Sequence, residues 1–259
     1  MLNLLTAERI KLLHSKKLWV VLAIFTALPI LQVINTNWNV SNGAKLVQAI
    51  DTVVNGATSI LMMEKNALTI LLILSAFISF FIGEEFQNGT VRNALSLGRS
   101  RTHYYLSKLI IAAVLSLIGM IIMTCLGMAG FSTIFGFGNI AHISDYTSFA
   151  MKSFSTLYLL ILANVSIYIL ITFLTKSIGI SLIWSFLYTM GTGFGAGIFQ
   201  QTEHFQQLTF WFTESFLFYS DFAAPIDIAK YPNMVLVSVI TIVVSSTLGI
   251  LLFKRTDIK

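Results

Sequence analysis

Side chains able to do acid–base, nucleophilic or metal chemistry are sparse in this chain and poorly spaced for it. His14, His103, His142 and His204 are dispersed, and no His-x-Glu or Cys-x-x-Cys spacing gathers a metal site. No Gly-x-Ser-x-Gly elbow occurs, nor a serine beside a base embedded in an apolar stretch, which argues against an intramembrane protease. The phosphate-cradling pattern Gly-x-x-x-x-Gly-Lys-Ser/Thr is absent, so the chain is expected to bind no ATP and no Mg²⁺ in that manner, and no cofactor of its own. The informative segment is 84–108, which holds Glu84 and Glu85, then Asn88-Gly89-Thr90-Val91-Arg92-Asn93-Ala94-Leu95, then Gly98, Arg99, Arg101 and Lys108. Asn88-Gly89 signals a turn, Thr90 suits an N-cap, and a helix over 91–97 would stop at Gly98. Such a helix can receive a push from a cytosolic protein. A basic loop that only fixes topology is the other reading of the same residues.

The elements that must position this segment follow from composition. Of 259 residues, 56% are hydrophobic and 10% charged, with a mean hydropathy of +0.83. A soluble domain carries about 25% charged residues, so a water-soluble fold would lack a surface and the chain reads as an all-α integral membrane protein. Crossing a hydrocarbon core of roughly 30 Å takes about 20 apolar residues. Stretches 18–37, 66–83, 109–135, 153–174, 177–199 and 234–253 meet this length without Asp, Glu, Lys or Arg, giving six spans. They leave a cytoplasmic arm at 1–17 and a tail at 254–259. With both termini inside, only Lys45, Lys65, Lys152 and Lys230 among the basic residues face outward, as the positive-inside rule requires. The net charge of +5 then reflects sidedness and attraction to anionic lipid, with no nucleic-acid partner implied. The first apolar stretch is long, contains Pro29 and lacks a small-x-small cleavage pattern, so it reads as an uncleaved span.

Secondary features are placed on this frame. Leu2, Leu5, Ile10 and Leu13 alternate with Glu8, Arg9 and Lys11, which fits an amphipathic helix on the inner surface or a charged leader that sets topology. The outer loop after the first span is polar, with a short helix expected near 46–54. Between the fifth and sixth spans, the stretch containing Phe210, Trp211, Phe212 and Phe216 is too polar to span and too apolar for water. It fits a re-entrant segment or an interfacial aromatic belt; the first reading puts Glu203, Glu214 and Asp221 near an outer mouth. Gly191, Gly193, Gly195 and Gly197 form two overlapping small-xxx-small faces suited to tight packing, within the chain or across a dimer, or to a hinge. Asn164, Ser166, Thr241, Ser245, Ser246 and Thr247 suit helix-to-helix hydrogen bonds, and Cys125 suits packing. With no acidic or basic residue in a span, a carrier driven by protons or sodium is disfavoured, and energy for any transport is expected from elsewhere.

The order Glu, Gly89-Thr90, Leu95, Ser100-Arg101 and Lys108 resembles the first cytoplasmic loop of ABC-2-type permeases, and Glu8-x-x-Lys11 with Lys16, Lys17 and Trp19 resembles their N-terminal connecting helix. Many relatives carry Pro where Gly98 stands. The resemblance implies a permease subunit of a bacterial plasma-membrane ABC exporter that pairs with a second, identical or related permease. A separate cytosolic ABC ATPase carrying ATP and Mg²⁺ would dock on Thr90, Val91, Arg92, Asn93, Ala94 and Leu95. Glu84, Glu85 and Arg101 would anchor the loop, the two acids by pairing with Arg9, Lys11 or Lys16, and the aromatic stretch would be re-entrant. Charge-free spans suit an amphipathic peptide or lipid-like cargo. Size and style resemble subunits of Gram-positive peptide exporters and peptide-immunity systems, including the type that exports phenol-soluble modulins. A non-transporting sensor bound to an ATPase, or a secondary carrier, stays open from the residues alone.

Overall fold

A computed structural model describes residues 2–41, 54–64, 66–140, 143–202, 206–209, 211–218 and 230–256. These residues are organised by helices alone. Six helices are long and apolar enough to cross a membrane: α2 (Lys16–Ser41), α4 (Ala67–Gln87), α6 (Arg101–Phe135), α7 (Tyr146–Thr175), α8 (Ile178–Gln201) and α11 (Tyr231–Arg255). Five short helices complete the described residues: α1 (Leu2–Leu13), α3 (Ser59–Glu64), α5 (Thr90–Ser96), α9 (Gln206–Thr209) and α10 (Thr213–Phe218). The short helix expected near 46–54 falls largely outside the described residues; the helix seen in this loop is α3.

Several helices outrun their apolar stretches because polar residues cap the extra turns. The 35 residues of α6 amount to about 52 Å at ~1.5 Å per residue, well beyond a hydrocarbon core of about 30 Å. Its first turn begins at Arg101, where the Ser100 side chain accepts from the His103 N–H at 3.2 Å. At the start of α7 the Asp145 side chain accepts from the Ser148 N–H at 3.2 Å. The two-residue link between α7 and α8 lets them pack as neighbours.

The centre of the bundle is α7, packed against α4, α6, α8 and α11. Polar side chains close these contacts where water is absent: Ser166 with Ser245 at 2.6 Å, Tyr168 with Thr189 at 2.6 Å, and the Tyr158 hydroxyl donating to the Ala113 carbonyl at 3.0 Å. Asn164, Ser166 and Ser245 thus act as the sequence suggests. By contrast α2 is peripheral and rests mainly on α6.

Close approach of helices falls on glycines other than those singled out from the sequence. A methyl group on Gly119 would lie 2.6 Å from the Phe25 ring, one on Gly130 2.8 Å from Val33, and one on Gly249 would run into the Tyr105 hydroxyl. Gly191 and Gly195 meet nothing within 4 Å, whereas Gly193 and Gly197 are buried. The expectation of tight packing inside the chain is therefore corrected for Gly191 and Gly195, whose face of α8 turns outward. Cys125 is likewise exposed on α6 and not packed.

Candidate functional site

The loop between α4 and α6 is short, sharply turned and pinned at both ends. Gly89 takes φ 68°, a conformation cheap only for glycine, and reverses the chain between α4 and α5. It occupies the N-cap position expected for Thr90; the Thr90 hydroxyl instead reaches back to donate to the Glu85 carbonyl at 3.0 Å. Gly98, at φ 80°, stops α5, and its N–H donates to the Leu95 carbonyl at 3.0 Å.

The α5 helix has two faces. Val91 is 1% exposed, and Ala94 and Leu95 pack beside it on the core, as i, i+3 and i+4 spacing requires. Arg92, Asn93 and Ser96 point outward, and Leu97, just past the helix, is 82% exposed. Within the contact set expected from sequence, Val91 is corrected to an anchor.

Phe86, at the end of α4 that leads into the loop, belongs to an aromatic cluster to which four spans contribute, with Tyr104 and Tyr105 from α6, Phe173 from α7 and Phe253 from α11. Phe173 is its hub, with ring centroids 4.7 Å from Tyr105, 4.8 Å from Phe253 and 5.3 Å from Phe86. These are ordinary separations for edge and tilted ring pairs. Arg101 ties the same corner to the end of α11, its Nη1 donating to the carbonyls of Phe253 at 2.8 Å, Lys254 at 2.9 Å and Thr256 at 2.7 Å. A guanidinium there satisfies carbonyls that have no partner within the helix.

The acids of the loop enter an ion network. Lys108 is fully buried, with Nζ 2.7 Å from Glu85 Oε1 and 2.6 Å from Oε2. It also lies 2.6 Å from Glu8 Oε2, a close ionic contact outside hydrogen-bond alignment. Lys11 and the Tyr104 hydroxyl donate to Glu85 as well, and Lys108 stacks over the rings of Phe81 at 4.6 Å and Tyr104 at 5.1 Å. Glu84 pairs with Lys17. Of the partners expected for the two acids, only Lys11 is used; Lys17 stands in for Lys16 and Arg9, and Lys108 was missed because it lies on the far side of the loop. The network clamps α1 to α4 and α6, and the α1 face that docks carries Leu4 and Glu8 while Ile10 and Leu13 stay exposed.

The segment between α8 and α11 holds a second polar group. Phe210, Glu203 and Asp221 lie outside the described residues. Trp211 is exposed, Phe212 half-buried and Phe216 buried. Glu214 is fully buried against α7 and α8. Its Oε2 accepts from the Thr213 hydroxyl at 3.0 Å, and Thr213 in turn accepts from Asn164 Nδ2 at 3.0 Å. Burial pushes the Glu214 carboxyl above the ordinary carboxylate range, against the opposing effect of hydrogen bonds from its own backbone and from the Thr213, Thr192 and Tyr188 hydroxyls. The sequence reading of Glu214 as a residue near an outer mouth is corrected to a buried acid.

Among the described residues no group of His, Cys, Asp and Glu is placed to hold a metal ion. The loop helix α5 buries Val91 in the common core and turns Arg92, Asn93 and Ser96 outward. A family described as ABC-2 family transporter protein matches residues 4–192, which takes in α1, the loop and most of α8. No curated protein matches the chain.

Proposed function

We propose that this chain, which belongs to the ABC-2 family of transporter proteins, is the permease subunit of an ATP-driven bacterial exporter and that its α5 segment is the handle gripped by a separate cytosolic ATPase. The observation that carries the reading is that α5 buries Val91, with Ala94 and Leu95 packed beside it, in the same core that holds Phe86, Tyr105, Phe173 and Phe253. A displacement of α5 would pass to α4, with which it packs, and from Phe86 through Phe173 to α6, α7 and α11, because close-packed rings have no slack to absorb it. Arg92, Asn93, Ser96 and Leu97 form the contact surface, while Thr90, Val91, Ala94 and Leu95 hold the helix to the spans. Leu97 would fill an apolar pocket of the ATPase, and Arg92, a residue type enriched among interface hot spots, would meet a carboxylate.

The outward face of α8, with Gly191, Trp184 and Phe194 exposed and open space around Gly195, suits packing against a second permease, identical or related. The apolar stretches of the spans carry no Asp, Glu, Lys or Arg, which suits an amphipathic peptide or lipid-like cargo. Both termini lie in the cytoplasm in this reading, with the residues around Phe212 and Phe216 dipping into the outer leaflet.

The test is co-purification and cargo-stimulated ATP hydrolysis. Both substituted residues in Arg92→Glu with Leu97→Asp are exposed, so the double variant should fold normally yet lose the ATPase and cargo stimulation. Retention of both would reject the docking surface. A flat ATPase response of the wild-type complex to saturating peptide would favour a non-transporting sensor. Transport that collapses with the proton gradient at constant ATP would favour a secondary carrier.

A further inference from the structure

A groove of about 480 Å³ runs between α1, α2 and α6, walled by Leu5, Leu12, Leu22, Ile111 and Ile118, with Arg9 as its one charged lining residue. Its apolar wall is continuous with lipid-facing surface: Val114 and Ile118 of its lining are about half-exposed. In water such a surface would be costly; at the edge of a bilayer a hydrocarbon chain fills it. The depth is marked by neighbouring residues. Leu22 lies in the first two turns of α2 and Ile111 to Ile118 lie three to five turns into α6. Trp19 is exposed beside the groove, its indole donating to the Leu13 carbonyl at 3.2 Å, a placement typical of the headgroup level.

Arg9 supplies the chemical selectivity. The acids around it are already engaged: Glu8 by Lys108, Glu85 by Lys108 and Lys11, and Glu84 by Lys17. Among the described residues no carboxylate pairs with Arg9, which is exposed on α1. A guanidinium at the mouth of a hydrocarbon slot, at headgroup depth, matches a phosphodiester bidentately and repels a cationic occupant.

We propose that this groove is a binding site for one anionic phospholipid, an acyl chain lying along Leu12, Leu22 and Ile111 and the phosphate held by Arg9. The bound lipid fills the seam between α1 and the α2–α6 pair, where the side chains leave a gap. The occupant therefore acts as part of the packing that sets the angle of α1, whose other face is clamped to Lys108.

The full-length protein is reconstituted with phosphatidylglycerol or phosphatidylcholine bearing a photoreactive acyl tail, and adducts are mapped by mass spectrometry. Adducts at 12–22 and 110–118 should favour the anionic lipid by about fivefold, the fold-change one basic residue at an anionic surface supports. The exposed residues Ile30, Leu31 and Ile34 of α2 should show no such preference. Arg9→Gln, a change at an exposed side chain, should bring the groove ratio to about that of the reference face, and Val114→Trp should remove groove adducts of both lipids. Equal labelling of the groove by both lipids means ordinary boundary lipid and overturns the proposal. So does a preference unchanged by Arg9→Gln, or a groove without adducts, which would point to another occupant such as a second copy of the chain.

Discussion

Replacing Lys108 by methionine isolates the network that fixes α1 and the loop to the bundle. Lys108 is fully buried, and its ammonium faces Glu85, 3% exposed, and Glu8, 7% exposed. Together with Lys11, the four groups are neutral as a set. Methionine keeps an unbranched side chain at this site but removes the ammonium that lies over Phe81 and Tyr104 and leaves two carboxylates facing a single ammonium. That ammonium, on Lys11, sits on a side chain 47% exposed, so solvent screens its compensation. Breaking a buried pair by removing one partner costs about 3–5 kcal/mol, because an uncompensated charge remains. For a chain of this size that corresponds to a fall in Tm on the order of 10 °C. Tryptophan-fluorescence melting of the purified protein measures it. Adding Glu8→Gln and Glu85→Gln to Lys108→Met removes the stranded charges and should recover half or more of the loss. A single variant that melts within about 2 °C of wild type, or a triple variant no better than the single one, would refute the view of these residues as one buried electrostatic unit.

Three further outcomes follow from the same geometry. Arg101→Gln should strip the cap from the end of α11, speeding hydrogen exchange at 252–256 and costing about 1–3 kcal/mol, the range for hydrogen bonds from a charged donor after a discount for partial exposure. Gly249→Ala drives a methyl into the Tyr105 hydroxyl and should destabilise by about 1–3 kcal/mol, whereas Gly191→Ala meets open space and should leave melting unchanged, any loss appearing only in permease pairing. Glu214 binds its proton more tightly in the fold than in the unfolded chain, so its contribution is complete below the ordinary carboxylate range and is lost as pH rises through the elevated value. Glu214→Gln should flatten that part of the stability–pH curve, and a slope unchanged by the substitution would show that another group titrates.

The spans were legible because each is an uninterrupted apolar run of bilayer length, a signal that depends on no tertiary contact. The loop helix was legible for a similar local reason: Gly89 and Gly98 mark conformations that their neighbours in sequence cannot adopt. Partner choice was not legible. Lys11, Lys17 and Lys108 are chemically equivalent in sequence, and only the docking of α1 on α4 and α6 decides which acid each meets. The glycine face of α8 was misjudged inside the chain because periodicity reveals a flat helix face but not what stands opposite it. Glu214 was misplaced because its neighbours Phe212 and Phe216 suggest an interface, whereas Asn164 and Thr192, distant in sequence, supply the polar cavity wall. The Phe173 hub had no sequence signal, since a phenylalanine near a span end has the same pattern whether it packs on lipid or on four aromatic rings.

The most direct test of the account is the sidedness and reach of α5. Cysteine is introduced by Arg92→Cys in a Cys125→Ala background, which removes the chain's one native thiol. In sealed cells a membrane-impermeant maleimide should leave position 92 unlabelled, inverted vesicles should label it fully, and bound ATPase should protect it and cross-link to it. Labelling from the outside, or reactivity that the ATPase never alters, would contradict the claim that this helix is where the energy enters.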